Sequence, residues 1–147
     1  GTGPNGPHGS AYTPLLERNL TTADFQSENY SAYELCYKCH DRNNILSDAS
    51  FKATNATGEA RGHKFHIVDK QSACTTCHDP HGVVAAPRLI NFSTSYVSPF
   101  NGKIEFKSTG TSSGNCTLTC HDAPHDAASY SAGMISPLQK ASKSRRK

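Results

Sequence analysis

The six cysteines of this chain form three local pairs, and a histidine follows the second cysteine of every pair. The pairs, each with its histidine, are Cys36, Cys39 and His40; Cys74, Cys77 and His78; and Cys116, Cys120 and His121. The first two read C-x-x-C-H, the pattern that attaches a c-type haem, and the third has one additional residue between its thiols. Two thiols about one helical turn apart each bond to a haem vinyl group, and the next imidazole binds the iron.

Three other uses of paired cysteines fit this pattern less well. A disulfide framework gives no reason for a histidine after every second cysteine. A zinc site needs four ligands, whereas each Cys-Cys-His set supplies three. A thioredoxin-like redox pair occurs once, beside a β-α-β pattern that this sequence lacks. The three motifs therefore predict three covalently attached c-type haems, each with one iron.

The sequence holds more histidines than the three motifs need. His40, His78 and His121 are the predicted proximal iron ligands. The candidates for the second iron ligand are His8, His63, His66, His81 and His125. Three irons accept at most three of these, so the pattern predicts bis-histidine irons with no open position for a substrate. The sole methionine, Met134, lies in a Ser/Gly-rich segment and is predicted not to bind iron.

Local sequence divides the five candidates into two groups. His8, His81 and His125 each follow a proline, which ends a helix and turns the imidazole toward a neighbouring haem. His63 and His66 lie three residues apart and share one face if that segment is helical. The two imidazoles cannot both fill one coordination position. We prefer His66 as the ligand, with His63 as the other candidate.

Composition favours a core that is filled largely by cofactor. Only 35% of the 147 residues are hydrophobic, whereas Cys and His together account for 14 of them. No apolar run approaches the about 18 residues that cross a bilayer, so we expect no transmembrane segment. The porphyrins would supply most of the buried apolar area, and we therefore expect the chain without haem to be largely unfolded.

Positive charge is concentrated at the C-terminal end. Five of the 15 basic residues lie in the last eight positions, and the rest of the chain carries 10 basic and 12 acidic residues. That larger part offers no basic surface for nucleic acid. We predict a triheme domain over residues 1–126 and an extended tail with a basic end over 127–147. The first residues have neither the cationic nor the apolar region of an export signal. If the chain is exported, we expect that its signal was removed before residue 1.

Residues 7–16 and 80–89 form an internal repeat. Both read Pro-His-Gly, four further residues, a proline and an apolar pair or near-pair. Such repeats mark units that need a stacked neighbour to bury their apolar face. No haem motif precedes His8, so we expect either that the chain was cut from a longer array or that His8 reaches a haem of another molecule.

Little regular structure is predicted. Ser31 and Glu34 form a capping box ahead of the first motif and favour a short helix there. Residues 50–62 read as a loop. Asn101-Gly102, between apolar residues at 96–97 and 104–106, predicts one small β-hairpin. The expected fold is mostly loop with short α-helices and at most one small hairpin, wrapped around a stacked haem array.

The sequences CTTCHDPHG at residues 74–82 and LCYKCHDR at residues 35–42 resemble repeats of the multihaem c-type cytochromes of metal-reducing bacteria, in particular those with doubled C-x-x-C-H motifs. The resemblance covers about residues 6–126. It implies close-packed bis-histidine haems that carry electrons in the periplasm or outside the cell. Some members of that family polymerise into filaments (nanowires) in which a histidine of one subunit binds a haem of the next. The longer third motif and the surplus histidines depart from the family pattern.

The expected function is electron transfer at the cell surface or outside the cell, with the periplasm as the alternative location. The expected partners are other redox proteins, or further copies of the chain joined through His8 in a conductive filament. The alternative is a reductase of nitrite, hydroxylamine or a metal ion, which needs one open haem site and acid–base groups. It is disfavoured because every motif has its proximal histidine and histidines exceed irons. Haem storage or sensing is disfavoured by covalent attachment.

Overall fold

The computed structural model describes residues 9–13, 15–51, 59–84, 86–110 and 113–130. His8, Met134 and residues 131–147 of the predicted tail lie outside the described residues. The regular elements, in chain order, are a 3₁₀ helix Tyr30–Tyr33, α1 Glu34–Tyr37, α2 Arg42–Leu46, a π-helix Phe65–Asp69, α3 Cys74–Cys77, a 3₁₀ helix Pro87–Leu89, and the strands β1 Val97–Ser98, β2 Glu105–Gly110, β3 Ser113–Cys120 and β4 Ala123–Tyr130.

The helix at the first motif begins differently from the predicted capping box. The Asn29 side chain accepts a hydrogen bond from the Ala32 backbone N–H at 2.9 Å and caps the 3₁₀ helix that leads into α1. The Ser31 hydroxyl donates to Asn29 instead of capping a helix itself. Asparagine is as good an N-cap as serine, and here the chain enters the helix two residues earlier.

A small apolar core forms beneath the helices. Ala32, Tyr33, Tyr37, Ile67 and Ala73 are buried together, and the thiols Cys36 and Cys74 pack against them. These residues come from the 3₁₀ helix, α1, the π-helix and the start of α3, so the core joins the first two cysteine motifs.

The sheet is antiparallel and centred on β3. β4 pairs along one edge of β3, while β1 and β2 pair one after the other along the opposite edge. Phe100 and Lys103 exchange hydrogen bonds of 2.9 and 3.0 Å across the turn at Asn101-Gly102. The predicted turn is therefore present, but beyond the Phe100–Lys103 pair the flanking strands β1 and β2 pair with β3 and not with each other.

The sheet has four strands, whereas the sequence predicted a single hairpin. The difference arises because β3 carries the third cysteine motif, whose pattern in the sequence indicates cofactor attachment and not a strand. Its residues nevertheless alternate between Cys or Leu and the β-branched Thr117 and Thr119, a pattern typical of a half-buried strand. β4 continues to Tyr130, past the predicted domain boundary at residue 126.

Paired residues of the sheet show which side chains share a face. Cys116 lies opposite Phe106, and Cys120 lies opposite Val97. Leu118 lies opposite His125. Val97 and Leu118 are buried, so this is the inward face of the sheet. Within the described part of the chain, no helix is long and apolar enough to cross a membrane.

Candidate functional site

The first motif is wound as a single helical turn. Cys36 lies in α1, and its carbonyl oxygen accepts hydrogen bonds from the backbone N–H groups of Cys39 at 3.2 Å and His40 at 3.0 Å. Both thiols and the imidazole therefore project from one turn, the arrangement in which two thiols can bond one porphyrin. Cys39 and His40 are exposed, whereas Cys36 is partly buried.

The second motif has the same local structure. Cys74 and Cys77 form the first and last residues of α3, and the His78 N–H donates to the Cys74 carbonyl at 3.0 Å. Asp24 holds the start of this helix, because its carboxylate accepts hydrogen bonds from the Ala73 N–H at 2.7 Å and from the Thr76 hydroxyl. The residues of both C-x-x-C-H motifs thus fit a covalently bound haem.

The third motif is a strand and not a helical turn. Side chains alternate between the two faces of a strand, so an interval of four residues places Cys116 and Cys120 on the same face. An interval of three, as in C-x-x-C, would place them on opposite faces. The additional residue is thus what the strand requires to present both thiols on one side.

The third motif differs from the first two in its histidine as well. His121 and Asp122 form the tight turn between β3 and β4, with φ angles of 48° and 58°. The His121 ring donates from Nε2 to the buried Asp24 carboxylate at 2.9 Å. The thiols are also separated by about 13 Å of strand, against about 5 Å along a helical turn. In this conformation the third motif does not present its thiols and imidazole on one helical turn as the other two motifs do.

Thiols of different motifs lie beside each other. Cys36 and Cys74 are hydrogen-bonded, and this bond from Cys74 lowers the pKa of Cys36 to about 7 while raising that of the more deeply buried Cys74. Burial raises the pKa of Cys77 to about 12, with a further contribution from the nearby Cys116 and Cys120. The second motif therefore lies between the first and the third, and none of the six cysteines is joined to another in a disulfide.

Several imidazoles are fixed by a hydrogen bond at Nδ1. His78 donates to the Arg88 carbonyl at 2.9 Å, and His66 donates to the Gly62 carbonyl at 2.8 Å. His63 lies 3.1 Å from the Ser50 hydroxyl through the same ring nitrogen. Metal-binding histidines are commonly oriented this way, with one nitrogen bonded to the protein and the other directed at the metal.

Four partly buried imidazoles form two close pairs. The ring centroids of His63 and His78 are 6.4 Å apart, and those of His66 and His125 are 6.3 Å apart. The Phe51 ring lies 5.0 Å from the His63 ring and 6.2 Å from the His66 ring. Four of the predicted ligands are thus brought together in pairs.

These four imidazoles are neutral near pH 7. Burial is the main cause, and it lowers the pKa of His63 and of His125 to about 4 and also lowers the pKa values of His66 and His78. A neutral imidazole is the form that binds a metal ion. No group of three or more His, Cys, Asp or Glu side chains in the described ranges is arranged to hold a metal ion by itself.

The other described candidates, His40, His81 and His121, belong to neither pair. His40 is exposed but near enough for its charge to act on His63 and His78. The His81 side chain is 93% exposed and contacts Asp79 at 3.2 Å, so the structure does not bring it to either pair.

Sequence reasoning missed Asp24, which joins the second and third motifs. It lies in an ordinary Thr-Thr-Ala-Asp stretch, and no local pattern distinguishes it from the other acidic residues.

Comparisons of the chain with protein-family models, with curated proteins and with solved structures give no match.

Proposed function

We propose that this protein is a triheme c-type cytochrome that transfers electrons and does not transform a substrate. The observation that carries the proposal is the helical turn adopted by each C-x-x-C-H motif, with the first cysteine carbonyl bonded to the histidine N–H at 3.0 Å in both. This turn places two thiols and one imidazole on a single turn of backbone, as covalent attachment of one haem requires. A bound haem supplies a reversible one-electron Fe(III)/Fe(II) couple.

The residues around the motifs support a carrier better than a reductase. The His78 ring is oriented by the Arg88 carbonyl, and the His63 imidazole lies next to it. Such a surplus of imidazoles favours irons that are saturated with protein ligands, and two imidazoles hold a haem at a lower potential than a His/Met pair does. A reductase requires an open coordination position on at least one iron.

The thiol contacts support electron transfer through the second motif. Cys36 is hydrogen-bonded to Cys74, and Cys77 lies near Cys116 and Cys120. The attachment points of different motifs are therefore neighbours, with the second motif between the other two. We propose that electrons pass directly between the haems of the first and second motifs.

The mass of the protein isolated from its native source tests this proposal. We expect the polypeptide plus three haems, with ferric and ferrous spectra of six-coordinate iron that carbon monoxide does not change. Cys74→Ser/Cys77→Ser should lose one haem, whereas Thr75→Ser, within the same helix, should keep all three. The bare polypeptide mass in the native protein would overturn the proposal.

Turnover separates a carrier from a reductase. A carrier that is reduced by a dye should not consume nitrite or hydroxylamine beyond the rate of the dye alone. Steady turnover, together with a spectrum altered by carbon monoxide, would favour the reductase.

We also propose that copies of the chain join in an extracellular filament through His8. The support is the repeat at residues 7–16, which places His8 in the same Pro-His-Gly setting as His81, together with the surplus of histidines over the six ligands that three irons need. Negative-stain microscopy should show threads for the native chain and dispersed particles for His8→Ala. His81→Ala is the matched control, and threads formed equally by His8→Ala would contradict the proposal.

A further inference from the structure

The distance between the His63 and His78 rings has the value that a shared metal ion requires. The centre of a five-membered imidazole ring lies about 1.15 Å from each ring nitrogen, and metal–imidazole nitrogen bonds are about 2.0 Å long. Two imidazoles bound on opposite sides of one ion therefore have ring centres about 6.3 Å apart. The observed separation of the His63 and His78 ring centres is 6.4 Å.

Both rings are also turned so that the same nitrogen remains for the metal. His78 uses Nδ1 to donate to the Arg88 carbonyl, and His63 uses Nδ1 in its contact with the Ser50 hydroxyl. Among the described residues, none hydrogen-bonds to Nε2 of either ring. Each imidazole therefore has Nδ1 committed to the protein and Nε2 left for the iron.

The backbone around each ring is held firmly. His78 follows α3, and the carbonyl that orients its ring belongs to Arg88, which has a φ of 59° followed by 56° at Leu89. Non-glycine residues adopt this left-handed conformation at a cost, and such strain is typically found at functional sites. On the other side, the Asp48 carboxylate accepts from the Lys64 N–H at 2.7 Å and fixes the turn that begins at His63.

The other nearby histidines are placed elsewhere. His66 lies 6.3 Å from His125 and donates from Nδ1 to the Gly62 carbonyl. His81 is close to His78 in sequence, but its ring is exposed and faces Asp79. Of the two imidazoles in the Gly-His-Lys-Phe-His segment at 62–66, the one that faces the second motif is His63, and not His66, which the sequence favoured as a ligand.

We infer that His63 and His78 are the two axial ligands of the iron bound at the second motif. This assignment rests on the proposed function, since it presupposes a haem on Cys74 and Cys77. It specifies which of the surplus histidines is the second protein ligand of that iron. The second haem then needs no ligand from another subunit.

Counting irons that bind carbon monoxide tests the pairing. The full-length, haem-loaded chain is titrated with carbon monoxide as wild type, His63→Ala, His78→Ala and the double variant. Each single variant should gain one reactive iron per chain over wild type. The double variant should also gain only one, because both imidazoles serve the same iron. His40→Ala combined with His78→Ala is the matched control and should gain two, because these imidazoles belong to different C-x-x-C-H motifs.

Two reactive irons in the His63→Ala/His78→Ala double variant would overturn the inference, as would a His63→Ala protein with no reactive iron. Added imidazole should restore the six-coordinate spectrum of His63→Ala, whereas a variant that has merely lost its structure would not recover.

If the double variant does not load haem, His63→Ala is placed in the Cys74→Ser/Cys77→Ser chain, which lacks the second haem. There it should add no reactive iron, and the gain of one would contradict the assignment. Failure of the proposed function would be recognised by a different measurement, because the wild-type protein would then have the mass of the polypeptide without haem.

Discussion

At the scale of single residues, two buried carboxylates hold the segments around the motifs in place. The Asp24 side chain is fully buried and accepts hydrogen bonds from three groups, the Ala73 N–H, the Thr76 hydroxyl and the His121 ring. Its three partners, in residues 73–76 and 121, are far from Asp24 in the sequence. A buried carboxylate of this kind is stable only while its partners remain in place.

Replacing Asp24 with alanine should destabilise the protein strongly. Three donors would lose their acceptor, and we expect the free energy of unfolding to fall by about 3 kcal/mol. The measurement is the urea midpoint of the haem-loaded protein, followed by circular dichroism. Asp126→Ala, at an exposed position of β4, is the control and should stay within about 0.5 kcal/mol of wild type. Equal midpoints for the two variants would refute a structural role for Asp24.

Glu28 makes the second buried carboxylate site. Its side chain is only 4% exposed and accepts from the Arg42 guanidinium at 2.9 Å and from the Tyr37 hydroxyl at 2.9 Å. The Arg42 guanidinium is the main reason that the pKa of Glu28 lies below its usual range. Burial raises this pKa, and the hydrogen bond from the Tyr37 hydroxyl lowers it. The stabilisation is therefore present at neutral pH and is lost as the pH falls through the pKa of the folded state.

Glu28→Gln should show this pH dependence directly. At pH 7 we expect it to lose about 2 kcal/mol of unfolding free energy relative to wild type. The difference should shrink once the pH drops below about 4, the ordinary range of a glutamate. Urea midpoints at pH 7 and pH 3 measure it. Glu17→Gln removes an exposed pair with Lys38 and should change little at either pH. A gap that is the same at both pH values would contradict this reading.

At the scale of elements, the segment that carries His63 and His66 depends on a close backbone approach at Gly62. A Cβ atom added to Gly62 would lie 2.3 Å from the Phe51 carbonyl oxygen and 2.5 Å from the Asp48 Cγ atom. No side chain fits there without moving backbone. The next turn passes into the π-helix, a rare conformation that is frequently found at functional sites.

Gly62→Ala should displace this segment. We expect a loss of about 2 kcal/mol in unfolding free energy from overpacking, together with partial reaction of one iron with carbon monoxide as His63 withdraws. Gly102→Ala is the matched control because nothing lies within 4 Å of its added Cβ, although its φ is +75°. It should cost about 1 kcal/mol through backbone conformation alone and leave the haem spectrum unchanged. An unchanged spectrum in both variants would show that Gly62 does not position His63.

At the scale of the whole molecule, the protein has little apolar core of its own. The buried hydrophobic residues of the described part are few, and only Tyr33 among them has a large side chain that is completely enclosed. Partly buried cysteine and histidine side chains fill much of the space where the motifs meet. Covalently bound porphyrins would add apolar area to this interior, and folding would then depend on their attachment.

The chain produced without haem should therefore lack a cooperative thermal transition. Circular dichroism should show a broad, shallow change on heating, whereas the haem-loaded protein should melt sharply. The Cys74→Ser/Cys77→Ser variant, which we expect to carry two haems, should melt at an intermediate temperature. A sharp transition in the haem-free chain would show that the polypeptide core is sufficient.

The local structure of the first two motifs follows from the sequence alone. A C-x-x-C-H segment forms this turn through backbone hydrogen bonds within five residues, and both segments form it, although the distant Asp24 also holds the start of the second. The tight turn at Asn101-Gly102 is equally local, because these residues readily adopt positive φ. The three haems, their bis-histidine ligation and the filament remain predictions.

Only the tertiary structure decided which side chains meet. His63 and His78 are 15 positions apart in the chain, and their 6.4 Å contact depends on how the π-helix returns to α3. Asp24 reaches His121 across nearly the whole described chain. The extra residue of the third motif has a structural role only in a strand. Side chains alternate between the two faces of β3, so an interval of four residues places Cys116 and Cys120 on one face. Local hydrogen bonds can be predicted from neighbouring residues, whereas contacts between distant residues are set by the packing of the entire chain.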